Sequence, residues 1–357
     1  MLIHLDQSIT QLNIPLAQEL IDSLEDIAGI IRSGNHLITG DLKTLKFLST
    51  HEALGSSARR AYNGLATKYS QFASAKSMVT TFAEIGVSGD QPTLINRENK
   101  NIILIPLRKV RHLSLRNPTE VIYEEIQDDF IYEIISRWYV RKHINPGFLN
   151  RNYRPIHGGG GRTHAVYSEA QRLNNQFCLC VTDSDKKFPT DIPGPTSSEV
   201  RAVNSNDLAL SFHLDLDFHE IENLVPLQFL RSNCTSPTSK AIIDKIKQAE
   251  ITGHPEAKLF WDYKKGFSVA SLRQSNNGWL YWKSALGLPE TTCTEQCSSQ
   301  RCQCEVLKPW PEKRLVKDKI QSYSEMDPSE CNVLSKLWLT IGGTLTSWSA
   351  SAIPKTT

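Results

Sequence analysis

Three acidic clusters in the middle of the chain carry the residue types that bind hard cations. They are Tyr123-Glu124-Glu125-Ile126-Gln127-Asp128-Asp129, Asp183-Ser184-Asp185 and Glu220-Ile221-Glu222-Asn223. Two carboxylates at i and i+2, as a chain leaves a strand, can share an ion such as Mg2+, which takes oxygen ligands. An isolated Asp-x-Asp is more often a solvated loop. Here, however, each cluster follows an apolar stretch and stands at a predicted strand-to-helix or strand-to-loop junction. In a parallel sheet those junctions share one edge, so the three clusters should converge. Converging carboxylates repel, and one or two Mg2+ or Mn2+ ions would offset the repulsion and clamp a phosphodiester.

The elements that must position these acids are readable from hydrophobic patterning. Phe177-Cys178-Leu179-Cys180-Val181 is an unbroken apolar and thiol run, long enough for one strand and too short for a helix. Strands buried on both faces belong to parallel sheets covered by helices. Around it, Thr119 to Ile122 reads as a strand, Glu124 to Val140 as a helix, Asn145 to Gly161 as a loop, Thr163 to Leu173 as a helix and Leu208 to Leu214 as a strand. That alternation predicts an α/β fold with a central parallel sheet flanked by helices. The break at Leu115-Arg116-Asn117-Pro118 sets its start and divides the chain into three expected units. Residues 1–114 form a mostly helical α+β recognition or scaffold domain, 115–245 the catalytic domain, and 246–357 an irregular helical C-terminal region. In the first unit, Leu16, Leu20, Leu24, Ile27 and Ile31 mark one buried helical stripe, with Gly34 placed to end it.

The segment Val121-Ile122-Tyr123-Glu124 with Asp128, then Asp183-Ser184-Asp185, then His219-Glu220-Ile221-Glu222-Asn223, resembles in order and rough spacing the motifs of the TOPRIM fold. The likeness is to TOPRIM domains of overcoming-lysogenisation-defect (OLD-like) phage-defence nucleases, and it covers about Thr119 to Pro226. The resemblance implies a Mg2+-dependent endonuclease that hydrolyses phosphodiester bonds of DNA or RNA. Glu124 would be general acid/base or metal ligand, Asp183, Asp185 and Glu222 would hold metal, and Asp128 would support the first motif. It also implies an effector role in anti-phage defence, with a separate ATPase or defence-system subunit as partner. Glu125 stands where the family motif has Gly, which leaves Glu124 and Glu125 as rival candidates. That departure motivates the alternative, a catalytically silent module that binds nucleic acid or a partner. Asp6 after Leu-Ile-His-Leu and Asp41 after Leu-Ile-Thr-Gly bear a fainter resemblance to PIN-type nucleases. The segment between them is short for that fold, so a helical module is the reading taken.

Other stretches suggest binding. Gly158-Gly159-Gly160-Gly161-Arg162-Thr163 precedes a helix, where free backbone N–H groups bind phosphate or simply form a flexible loop. No Gly-Lys dipeptide is present, which excludes a Walker loop and an ATPase of that type. Arg162, Lys186, Lys187, Lys264 and Lys265 are the candidate nucleic-acid contacts, with Trp138, Tyr139, Tyr153, Trp261 and Tyr263 interleaved for stacking. Asp262 to Gly266 is the favoured backbone clamp. His219 reads as a surface histidine, because His-Glu-Ile-Glu-Asn lacks the second His of a zinc protease. Cys293, Cys297, Cys302 and Cys304 could make a zinc knot, whereas Cys178 and Cys180 read as core thiols. The 357 residues are 22% charged and 39% hydrophobic with net charge +2, so a polyanion must be attracted by local patches. The eight cysteines, the N-terminus without signal-peptide regions and the lack of any long apolar run lead to the expectation of a reduced, cytoplasmic protein without a membrane segment, and of homo-oligomers as an option.

Overall fold

The computed structural model describes residues 1–12, 16–144, 149–205, 207–289, 304–312 and 326–353. Two sheets dominate, and the fold is α/β. The second sheet holds the acidic clusters. Its four strands run Ser211–Asp215, Cys178–Thr182, Thr119–Tyr123, Tyr153–His157 across the sheet, and all are parallel. Phe177, Cys178, Leu179, Cys180 and Val181 are all buried, as expected of a strand covered on both faces.

The strand order fixes where the chemistry sits. From Thr119–Tyr123 the chain crosses to one neighbour, Tyr153–His157, then returns past its start to the other neighbour, Cys178–Thr182. The connections therefore diverge between Thr119–Tyr123 and Cys178–Thr182, and such a switch point leaves a crevice at the carboxyl ends of the two strands. Glu124 leaves one of these strands and Asp183 the other, and Tyr123 is paired with Val181 just before them.

Two readings of this region change. The stretch expected as loop contains the edge strand Tyr153–His157. Its Pro155 lies on an edge, where a missing N–H is tolerated. The helix expected from Glu124 starts at Asp129, because a single 3-10 turn, Ile126–Asp128, intervenes. Glu125 caps that turn in a reciprocal box with Asp128.

The N-terminal unit sets its helices around a five-stranded sheet. Its strands lie in the order Leu37–Gly40, Leu2–Leu5, Thr81–Gly86, Lys100–Pro106, Thr93–Arg97, with the last antiparallel and the others parallel. Leu2–Leu5 is buried throughout, so it shows no alternation to betray it, and its four residues are few for a periodicity argument. The stripe helix spans Gln18–Ser33 and ends at Gly34, whose φ of 69° is the left-handed cap. Asp6 and Asp41 follow adjacent parallel strands, and Asp41 Oδ2 stands 3.8 Å from His4 Nε2.

The helix Asn332–Ser349 joins the two sheets. Against Asp129–His143 it sets Trp338 edge-on to Trp138, and its Thr346 hydroxyl meets that of Ser136 at 3.1 Å. On the other side its Ser347 Oγ accepts from the Thr80 N–H at 2.9 Å, beside the first sheet. Trp338 is fully buried, a burial worth about 2–3 kcal/mol. Among the described residues no helix is long and apolar enough to cross a membrane.

Candidate metal centre

Glu124 is half-buried at the mouth of the crevice, within hydrogen-bonding reach of both the carboxylate and the backbone of Asp183. Burial, followed by the charges of Asp185 and Asp128, pushes its carboxyl up to about 7 against the pull of those Asp183 contacts. Asp183 is held well above the usual carboxylate range by burial and by Glu124, Asp185 and Asp128. Burial also raises Asp128 to about 6, with the charges of Glu222 and Glu125 adding and the Glu125 N–H and Lys264 opposing. The acids of all three clusters thus form one electrostatic group. Glu124 Oε1 is buried without a hydrogen-bond partner, which favours a cation, whereas Glu222 Oε2 already faces the Lys264 ammonium. Of the two rivals in the first motif, Glu124 faces the pair, while Glu125 is exposed and spent on its cap.

The Asp-Ser-Asp loop is fastened from behind. Ser184 is fully buried, and both its N–H and its hydroxyl donate to the Phe218 carbonyl, at 2.9 and 2.7 Å. The Asp185 N–H donates to the His219 carbonyl at 3.2 Å. Asp185 itself is left-handed at φ 53°, an uncommon conformation for a side-chain-bearing residue that concentrates at functional sites. Its carboxylate packs on Gly194, where an added Cβ would lie 2.5 Å from Asp185 Oδ2.

The glycine-rich turn has a different job from the one expected. Gly158 N–H donates to the Tyr123 carbonyl, and Gly159 and Gly160 N–H both donate to the Glu124 carbonyl. These donors position the backbone of Glu124 and are not free for phosphate. A Cβ at Gly158 would stand 2.7 Å from the Tyr123 carbonyl, and Gly159 and Gly160 have positive φ, so glycine is required here.

The third cluster continues into residues that lie beyond the expected boundary at 245. Asn223 holds the turn, accepting from the Glu220 N–H at 2.8 Å and donating to the carbonyls of Lys258 and Trp261 at 2.7 and 2.9 Å. The buried Lys258 ammonium donates to the carbonyls of Asn223 and Val225, both at 2.6 Å. Glu222 is only 3% exposed and faces Lys264, whose Nζ lies 3.5 Å from its Oε2 and 3.4 Å from Glu220 Oε2. His219 is buried rather than on the surface. Its Nε2 lies 3.5 Å from Asp262 Oδ2 and 3.9 Å from Glu220 Oε1. Burial disfavours the imidazolium, yet the Asp262 contact and the Glu220 charge outweigh it and raise the pKa.

Among the described residues, His219, Glu220 and Asp262 are the group whose ligand atoms all fall within 4.8 Å of one another. Sequence reasoning missed Asp262 and Lys264 as partners of the acids, and it misjudged His219. The run Leu214-x-Leu216-x-Phe218, buried at each of those positions with Asp215 and Asp217 exposed between them, was the available signal that this segment is anchored.

The basic candidates divide. Arg162 and Lys265 are exposed, and Lys187 is half-buried. Lys186 is paired with Asp217 at 2.7 Å, and Lys264 with the two glutamates. Trp138, Tyr153, Trp261 and Tyr263 are buried, the last two packed with Trp310, so they are core and not stacking platforms; Tyr139 is half-buried. Asp262 is buried against His219, which ends its reading as part of a phosphate clamp. Cys178 and Cys180 are buried and free, Cys304 is half-buried, and Cys293, Cys297 and Cys302 lie outside the described residues.

Comparison of the chain with protein-family models, with curated proteins and with solved structures finds no match in any of the three.

Proposed function

We propose that this chain is a divalent-metal-dependent hydrolase of phosphodiester bonds in DNA or RNA, with a TOPRIM-like site. One observation carries the reading. Carboxylates from three distant segments feel one another's charge at the switch point of a parallel sheet, and a buried Glu124 oxygen lacks a partner. Glu124, Asp183 and Asp185 would hold the ion, a hard-oxygen set suited to Mg2+ or Mn2+. When bound, the ion supplies neutralisation of these carboxylates and Lewis-acid polarisation of a phosphoryl oxygen. The protein's own contribution is positional. The glycine turn fixes Glu124, Ser184 fixes the Asp-x-Asp loop, and Asn223 with Lys258 fixes the third cluster.

Arg162, Lys187 and Lys265 are on hand to meet backbone phosphates, which carry most of the affinity in sequence-independent binding. The effector role in anti-phage defence, and an ATPase partner, follow from the resemblance alone. The test is cleavage of a panel of single- and double-stranded DNA and RNA with Mg2+, Mn2+ or EDTA. Cutting is expected from the native chain with either ion, and its loss in EDTA and in Glu124→Gln and Asp183→Asn. Equal cutting by all three proteins would remove the assignment, and no cutting of any substrate would favour the silent binding module.

A further inference from the structure

We propose that His219, Glu220 and Asp262 form a second cation site, separate from the Glu124/Asp183 group. It takes a transition metal of the Zn2+, Co2+ or Mn2+ class in exchange for the Lys264 ammonium. Acidic residues close together are not a site by themselves; what marks this one is the histidine. His219 is 4% exposed and neither ring nitrogen has a hydrogen-bond partner, although Nε2 is turned toward two carboxylates. Buried polar atoms are rarely left so. Around a tetrahedral ion with ligand distances of about 2.1 Å, donor atoms stand about 3.4 Å apart. The separations of 3.5 Å to Asp262 and 3.9 Å to Glu220 reach that with side-chain shifts of a few tenths of an ångström.

The donors are held as metal ligands usually are, by partners one step further out. Asp262 Oδ1 accepts the Lys265 N–H at 2.7 Å, which leaves Oδ2 to face the ring. The backbone of His219 is pinned on both sides, its N–H donating to the Leu259 carbonyl at 2.8 Å and its carbonyl accepting from Asp185. The Glu220 N–H is held by Asn223. Through the His219–Asp185 bond the second site is attached to the loop of the first.

The donor chemistry separates the two sites. A set of oxygens alone suits Mg2+, which demands octahedral geometry and keeps its waters; an imidazole nitrogen among carboxylates suits Zn2+, Co2+ or Mn2+. Lys264 now neutralises Glu220 and Glu222, while Asp262 faces the His219 ring. Its side chain is half-exposed and reaches Glu220 and Glu222 from outside, so it can leave toward solvent when an ion arrives. The existence of this site does not depend on the hydrolase reading; its catalytic meaning does.

The experiment is a Co2+ titration of the metal-stripped full chain carrying Cys293→Ser, Cys297→Ser, Cys302→Ser and Cys304→Ser, read by visible absorption. A single equivalent should give ligand-field bands, which Zn2+ abolishes and excess Mg2+ leaves in place. Those bands should be lost in His219→Ala and Asp262→Asn and kept in Glu124→Gln. Lys264→Met should tighten Co2+ binding by roughly two- to fivefold, the range for removing a half-exposed competing charge. Far-ultraviolet dichroism shows whether each variant folds, and the Lys264→Met arm stands even if His219→Ala does not. Absence of bands, bands that survive His219→Ala, bands lost in Glu124→Gln, or unchanged affinity in Lys264→Met would each overturn the proposal. Cleavage activity is not read, so a failed hydrolase assignment and a failed second site give different results.

Discussion

Replacing Glu124 by Gln should make the metal-free protein more stable at neutral and alkaline pH while removing its response to Mg2+. Glu124 ionises at about 7 in the folded chain, against an ordinary value of 4.5. Below the lower value the carboxyl is protonated in folded and unfolded chains alike, and it costs nothing. Between the two values the folded chain keeps its proton while the unfolded chain releases it, so stability falls as pH rises. Above the higher value the loss is complete, at about 3 kcal/mol for the full shift. Solvent reaches part of the side chain, and about 2 kcal/mol is the figure to expect. Glutamine carries no charge at any pH and can still donate to Asp183. Urea denaturation in EDTA at about pH 5 and about pH 8 should therefore show the variant near native at the lower pH and about 2 kcal/mol more stable at the higher. Added Mg2+ should raise the midpoint of the native chain, by mass action on the folded state, and leave the variant unmoved. If Glu124→Gln is less stable than the native chain at the higher pH, the carboxylates are not in mutual repulsion and the account of the crevice fails.

Three further outcomes follow from the packing. Gly194→Ala places a methyl 2.5 Å from Asp185 Oδ2 and 2.6 Å from Asp185 Cβ, so the Asp185 backbone must shift with its carboxylate; Mg2+ affinity, by calorimetry, should fall about tenfold or more and stability in urea by about 1–3 kcal/mol. Lys258→Met leaves the Asn223 and Val225 carbonyls buried without their donor, which should cost about 2–4 kcal/mol in denaturation; a cost under about half a kcal/mol would mean that turn is held elsewhere. Gly342→Ala sets a Cβ 2.5 Å from Tyr139 Cβ where two helices cross, and should cost about 1–3 kcal/mol without affecting metal binding.

The parts of this site that could be read from sequence are those where a buried strand runs straight into acids. Phe177 to Val181 followed by Asp183 is a local signal, and so is Val121 to Tyr123 followed by Glu124. Strand order is not local. Nothing in the residues 119–215 states that Thr119–Tyr123 lies between Tyr153–His157 and Cys178–Thr182, and that order is what creates the crevice. Asp262 and Lys264 join the site through backbone carbonyls around Asn223, contacts that no residue pattern encodes. The N-terminal sheet was hidden only in part, and for another reason. Its first strand is short and buried on both faces, so it has neither the length nor the alternation that distinguishes a strand. The glycine turn was seen, yet its donors went to the protein's own backbone, an outcome decided by the distance between two strand ends.

The closure of the third cluster by Asn223 and Lys258 has a consequence for biosynthesis. Residues Glu124 and Asp183 leave the ribosome well before Asp262 and Lys264, and a nascent chain folds from its N-terminal end as it emerges. Until the segment 258–264 has been made, the Glu222 turn has no ammonium beneath it and His219 lacks the nearer of its two carboxylates, Asp262. A chain released early, or one still being translated, carries an unfinished pocket. The metal-dependent hydrolysis proposed above would then be withheld from a half-made molecule sitting on its own messenger.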